Sequence, residues 1–140
     1  MEKSLGNSNR MKILCKLCLV EERNIDCSLC SKCLKKEEHR VKEQNKRAHK
    51  KKIKERLSIK DWIISLERHN FSCAACKGNR NKLTLDHIIS MSVGGKNCGD
   101  SNIQPLCSPC HELKSTIETK LKGNKKKRLE AKELSCDQPT

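Results

Sequence analysis

The stretch FSCAACKGNRNKLTLDHIISMSVGGKNCGDSNIQPLCSPCHELK, residues 71–114, decides how this chain folds. Two Cys-x-x-Cys pairs, Cys73 with Cys76 and Cys107 with Cys110, bracket residues 77–106. Pairs so arranged fit one closed tetrahedral zinc site, because four thiolates satisfy the ion and draw the two ends of the segment together. Between and beside the cysteines stand Asp86, His87, Asn102 and His111. A zinc ion already held by four thiolates needs none of them. The segment reads as a metal-held scaffold that keeps a second set of polar groups for chemistry.

Local patterns give the scaffold its order. Residues 82–86 alternate as a short strand does, residues 90–101 with Gly94, Gly95 and Gly99 form a loop, and residues 103–106 suit a second strand. Ser108 and Pro109 are suited to N-cap and first helical residue. Cys110, Leu113, Ile117 and Leu121 then recur on one helical face, predicted to extend the core from the zinc ligand. Gly78 is expected to supply the turn after the first cysteine pair. The result is a ββα unit in a small α+β fold. Cys110 and His111 are one step apart on the helix, so their side chains diverge by about 100°. Cys110 can face the zinc while His111 turns toward the end of the first strand. Asp86 and His87 pose the opposite problem, since successive strand residues point to opposite faces. Both reach one site only if the backbone twists out of the strand at residues 86–88.

These residues resemble the HNH endonuclease family, of the ββα-metal (His-Me finger), four-cysteine kind. The resemblance is carried by Cys73-x-x-Cys76, Leu85-Asp86-His87-Ile88, Gly94-Gly95, the run from Asn102 to Cys107, and Cys110-His111-x-x-Lys114. It implies that His87 is the general base, taking a proton from the water that attacks a phosphodiester. Imidazole is the side chain whose ordinary titration lies nearest neutral pH. It implies that Asp86 and His111 hold one divalent ion, Mg²⁺ or Mn²⁺, and that Asn102 ties the loop to the strand. Its four cysteines are structural, and the expected products carry 3′-hydroxyl and 5′-phosphate ends. DNA is the expected substrate and RNA the alternative. A different class of function, a non-catalytic zinc module that binds nucleic acid, would share the charge and the cysteines but has no need of Asp86, His87 and His111.

The rest of the chain supplies context. Of 140 residues, one is Trp, one Phe and none Tyr, and 11 are Cys. So little apolar bulk makes a weak core, and most of the cysteines fall at knuckle spacing, which points to zinc as the staple. Residues 1–10 are polar and lack a signal-like apolar run, so a reducing intracellular compartment is expected. No run approaches the roughly 18 apolar residues of a membrane span. The formal net charge of +14 asks for a polyanionic partner.

A first cysteine group precedes the segment. Cys15, Cys18, Cys30 and Cys33 form the favoured second zinc set, with Cys27 and Cys30 as a rival second pair. Residues 1–34 are read as this knuckle and residues 35–57 as a basic, solvated helix or linker. Residues 58–122 are then the nuclease unit and residues 123–140 a disordered tail. Ser58 with Asp61 has the pattern of a capping box, and Ile59, Trp62, Ile63 and Leu66 follow at helical spacing. Trp62 is expected in the core. Cys98 and Cys136 are expected to be free thiols.

Overall fold

The computed structural model describes residues 11–78 and 82–135. Residues 1–10, 79–81 and 136–140, with Cys136 among them, lie outside that description. The elements run as α1 (Ser31–Lys50), α2 (Ile59–Arg68), β1 (Leu83–His87), β2 (Ile103–Cys107) and α3 (Ser108–Ser135), with a 3₁₀ turn at Met91–Val93.

The first cysteine group folds as a knuckle on the front of α1. Leu14 bridges Glu22, the Cys15 N–H bonds the Glu21 carbonyl at 2.8 Å, and Lys16 bonds the Ser28 carbonyl at 2.9 Å. Cys33 already lies in the first turn of α1. The sequence of α1 holds no glycine or proline, and Arg47, His49 and Lys50 place positive charge at its C-terminal end, where the helix dipole favours it. Lys52 then turns left-handed (φ 61°) and the Ile53 N–H closes onto the Ala48 carbonyl at 3.0 Å. The basic run is therefore a helix with a sided environment. Glu37, Val41 and Ala48 are buried, and only the opposite face is solvated.

α2 begins at the expected capping box: the Asp61 N–H donates to Ser58 Oγ at 3.0 Å, and the Ser58 N–H to Asp61 Oδ2 at 3.4 Å. Its inner face buries Trp62, Ser65 and Leu66. Trp62 is fully buried and its indole N–H donates to Glu37 Oε2 at 2.6 Å, which joins α2 to α1. Ser65 Oγ donates to the Ile103 carbonyl at 2.9 Å and joins α2 to β2.

β1 and β2 pair antiparallel, with Leu83 opposite Cys107, Leu85 opposite Pro105 and His87 opposite Ile103. Pro105 is tolerated because both strands of this two-stranded sheet are edges. Its carbonyl accepts the Ala74 N–H at 2.8 Å, so the first zinc knuckle of the segment is sewn to β2. A single apolar core collects Cys15, Leu29 and Cys30 from the front, Val41, Leu57, Trp62, Leu66 and Phe71 from the middle, and Leu83, Leu85, Ile103 and Leu106 from the sheet.

Three local expectations change. The left-handed turn after the second cysteine of each knuckle falls on Leu19 (φ 58°) and Lys77 (φ 64°). Among the described glycines, those with positive φ are Gly94 and Gly99, so Gly78 does not carry that turn. In both knuckles the N–H of the left-handed residue bonds back to the first cysteine, at 3.0 Å for Leu19 onto Cys15 and 2.9 Å for Lys77 onto Cys73. The apolar stripe of α3 is not core: Leu113, Ile117 and Leu121 are 62%, 49% and 62% exposed. Farther along α3, Lys114 reaches Asp86 of β1 and Lys122 donates to Ser92 Oγ at 2.6 Å. The helix also runs past Gly123 to Ser135, through Lys, Arg, Leu, Glu and Ala residues that all favour helix over the tail expected there.

Candidate functional site

The two cysteine groups close as predicted by their spacing. Cys73, Cys76, Cys107 and Cys110 bring their sulfur atoms within 4.8 Å of one another, and so do Cys15, Cys18, Cys30 and Cys33. A tetrahedron with Zn–S of 2.3 Å has edges of about 3.8 Å. Cys76 to Cys107 measures 3.7 Å and Cys18 to Cys30 3.9 Å, so both groups fit zinc. Cys27 stays outside the set, with its thiol on the Leu29 carbonyl at 3.3 Å. In each group backbone amides favour one thiolate, while burial pushes the Cys33 thiol up and the bond to Cys107 pushes Cys110 up. The amides of Glu21 and Val20 draw Cys18 down to about 6. Burial works against ionising Cys73, but the amides of Cys107, Cys76 and Ala75 outweigh it and hold that thiol at about 6.

The second set of polar groups gathers where β1 ends and α3 begins. The ladder stays regular through His87, and the chain bends afterwards, at Ile88 and Ile89. Both Asp86 and His87 are buried, at 7% and 8% exposure, and they leave the strand in different directions. Asp86 turns to α3. Its Oδ1 lies 3.7 Å from His111 Nε2, and its Oδ2 accepts from Gln104 Nε2 at 2.9 Å. Lys114 Nζ reaches the same carboxylate at 3.1 Å, the His87 carbonyl at 2.9 Å and Glu118 at 2.8 Å. Burial works against the Lys114 charge, but its bonds to Glu118 and Asp86 outweigh that and raise its pKa. His87 turns toward the glycine loop, where Nε2 lies 2.9 Å from Asn97 Oδ1.

Asn102 spans the bend. Its Oδ1 accepts the Ile89 N–H at 2.8 Å, and its Nδ2 donates to the Ile89 and Lys96 carbonyls at 3.0 and 2.9 Å. The bend that follows His87 is thus held from both sides by one carboxamide.

A groove of about 370 Å³ opens over these residues. Asp86, His87, His111 and Lys114 line one wall, and Gln44, Arg47, Lys50 and Lys51, from α1 and its end, line the other. A second groove, about 730 Å³, continues along α1 past Lys36, His39 and Arg40 and meets the first at Arg47, Leu85 and His111. The two grooves share Gln44, Arg47, Leu85 and His111, so cations of α1 and the polar cluster line a common surface.

The family model described as HNH endonuclease matches residues 73–116. That segment is similar to HNH endonuclease domains. No curated protein and no solved structure matches the chain. The HNH segment holds both halves of its zinc site and all of Asp86, His87, Asn102 and His111, while α1 and the first cysteine group lie outside it. Among the described residues, no helix is long and apolar enough to cross a membrane.

Gln104 and Lys114 stand in the runs that carry the resemblance, but that both pair with Asp86 was not read from the sequence. Gln104 is legible afterwards, because antiparallel pairing sets it directly opposite Asp86. Lys114 follows His111 by three residues, close to one helical turn, so it shares that face. Asn97, Asn45 and Glu55 had no such signal. They meet only because α1 folds back over the glycine loop.

Proposed function

We propose that the HNH segment hydrolyses phosphodiester bonds in a nucleic acid, DNA in the first instance, within a ββα-metal arrangement. The observation that carries this reading is that Asp86, His87 and His111 line one groove together with Arg47, Lys50 and Lys51, although the strand stays regular and sends Asp86 and His87 in different directions. In this reading His87 takes a proton from the attacking water. Asp86 and His111 hold one divalent ion, Mg²⁺ or Mn²⁺. A carboxylate and an imidazole suit such an ion when it keeps several waters. Their 3.7 Å separation is within the roughly 4.2 Å that two ligands of a small divalent ion can span. Once bound, the ion supplies positive charge to the transition state and to the leaving 3′-oxygen. Gln104 fixes the far oxygen of Asp86, which leaves Oδ1 turned toward His111. Arg47, Lys50 and Lys51 are placed to receive the phosphates of the strand being cut.

The test is incubation of the zinc-loaded protein with supercoiled plasmid and, in parallel, with RNA, in Mg²⁺ or Mn²⁺. Metal-dependent cleavage is expected, with His87→Ala slower by on the order of 10²–10⁴-fold. Wild-type protein that cuts neither substrate would sink the proposal. One observation favours a second reading, a zinc module that binds nucleic acid without cutting it. The Lys114 ammonium already neutralises Asp86 from within the chain. That reading predicts salt-sensitive binding, undiminished by joint substitution of Asp86, His87 and His111, with no cleavage at any metal concentration.

A further inference from the structure

Asn97 lies in the glycine loop and is fully buried. Its backbone N–H donates to Glu55 Oε2 at 2.8 Å. Its Nδ2 lies 3.1 Å from Asn45 Oδ1 and 3.2 Å from the Glu55 carbonyl, and its Oδ1 lies 2.9 Å from His87 Nε2. The two ends of a carboxamide have nearly the same shape, so its orientation must follow from its partners. The Glu55 carbonyl can only accept, which requires the amide nitrogen of Asn97 on that side. Asn45 is oriented independently. Its Oδ1 accepts the Leu57 N–H at 2.9 Å while its Nδ2 donates to the Leu57 carbonyl at 2.9 Å. Reversing either amide would set oxygen against oxygen or donor against donor. The group facing His87 is therefore an oxygen.

An imidazole nitrogen 2.9 Å from a carboxamide oxygen must carry the proton of that bond. Neutral imidazole has one N–H, so a proton on Nε2 leaves the lone pair on Nδ1. We infer that Asn97 is a positioning residue that locks neutral His87 in its Nε2–H tautomer, with Nδ1 as the proton-accepting atom, and that Asn45 of α1 anchors the lock. The tautomer is a property of the folded chain. Its catalytic consequence rests on the reading of His87 as general base.

The experiment is ¹⁵N-imidazole NMR on the zinc-loaded full chain at alkaline pH, where ordinary imidazole is neutral, with the His87 signals assigned through His87→Gln. Wild type should show the one-sided Nε2–H pattern. Asn97→Ala should show a tautomer mixture and, on cleavable DNA, a kcat lower by about 10–100-fold with KM nearly unchanged. A wild-type spectrum with the proton on Nδ1, or an Asn97→Ala spectrum identical to wild type, overturns the inference. Should Asn97→Ala fail to fold, a wild-type spectrum with the proton on Nδ1 still overturns the lock. A one-sided Nε2–H spectrum from a protein that cuts nothing would reject the nuclease reading and support the lock. Cleavage by a protein with Nδ1–H would do the reverse.

Discussion

A β-carbon built on Gly95 would lie 1.7 Å from the Ile89 carbonyl oxygen and 2.6 Å from its carbon, so Gly95→Ala must push the Ile89 backbone away. Ile89 is the residue that Asn102 grips at both N–H and C=O. The substitution therefore acts on the bend that follows His87. A loss of about 1–3 kcal/mol is expected, as for other overpacking changes, together with loss of cleavage. Thermal melting of the zinc-loaded variant measures it, and a midpoint equal to wild type would refute the contact. Single residues also show what could be read in advance. Asp86, His87, Asn102 and His111 were legible because their spacing is local to one ββα segment. Asn97 was not, because its partners Asn45 and Glu55 stand 52 and 42 positions earlier in the chain. No periodicity links them.

Between elements, α1 has two faces with different work. The inner face offers Glu37 to the Trp62 indole and to Arg40 Nε, at 2.6 and 3.1 Å. Trp62→Phe keeps the ring but removes the donor from a buried carboxylate, at an expected cost of about 1–3 kcal/mol. Adding Glu37→Leu should not return that loss, because Glu37 also faces the buried Arg40 Nε, which the second substitution leaves without its carboxylate. Urea unfolding of the two variants tests this, and equal stability of Trp62→Phe and wild type would reject it. The outer face bears Arg47 and Lys50 on the groove. Their joint replacement by alanine should reduce the slope of log affinity against log salt by about 1.4–1.8, measured by fluorescence anisotropy on a labelled oligonucleotide. An unchanged slope would remove α1 from the phosphate path. The helical character of this segment was readable from composition, whereas its sidedness was not. Glu37 looks like one more solvated charge until α2 packs on it. The α3 stripe misled for the converse reason: helical period identifies an apolar face but not whether anything covers it.

On the scale of the whole molecule, one continuous core runs between the two cysteine groups. Neither metal site can be released without loosening the wall of that core. A strong chelator should therefore remove two zinc ions per chain in one transition, coincident with loss of helical circular dichroism. Two well-separated transitions would show independent units. Acid should have the same effect. The Cys18 and Cys73 thiols are lowered to about 6 from 9.0, so the stability their ionised forms contribute is complete above 9.0 and is lost as pH falls through about 6. The cysteine spacing made both metal groups legible, but the shared core was not, because Leu29, Trp62 and Leu83 come from distant parts of the chain.

β2 ends at Cys107 and α3 begins at Ser108, with no residue between them. Cys107 and Cys110 sit on either side of this corner, so a zinc ion held by both would clamp it. Here the chain has no slack with which to absorb a change in length. One residue inserted after Cys107 would rotate α3 by about 100° relative to the sheet. Cys110, His111 and Lys114 would all swing away from their partners at once. Deep insertional scanning should find this corner closed to any added residue. A functional insertion at the corner would show that the helix can be reset independently of the strand. The corner behaves as a ruler, converting distance along the sequence into the angle between two chemistries.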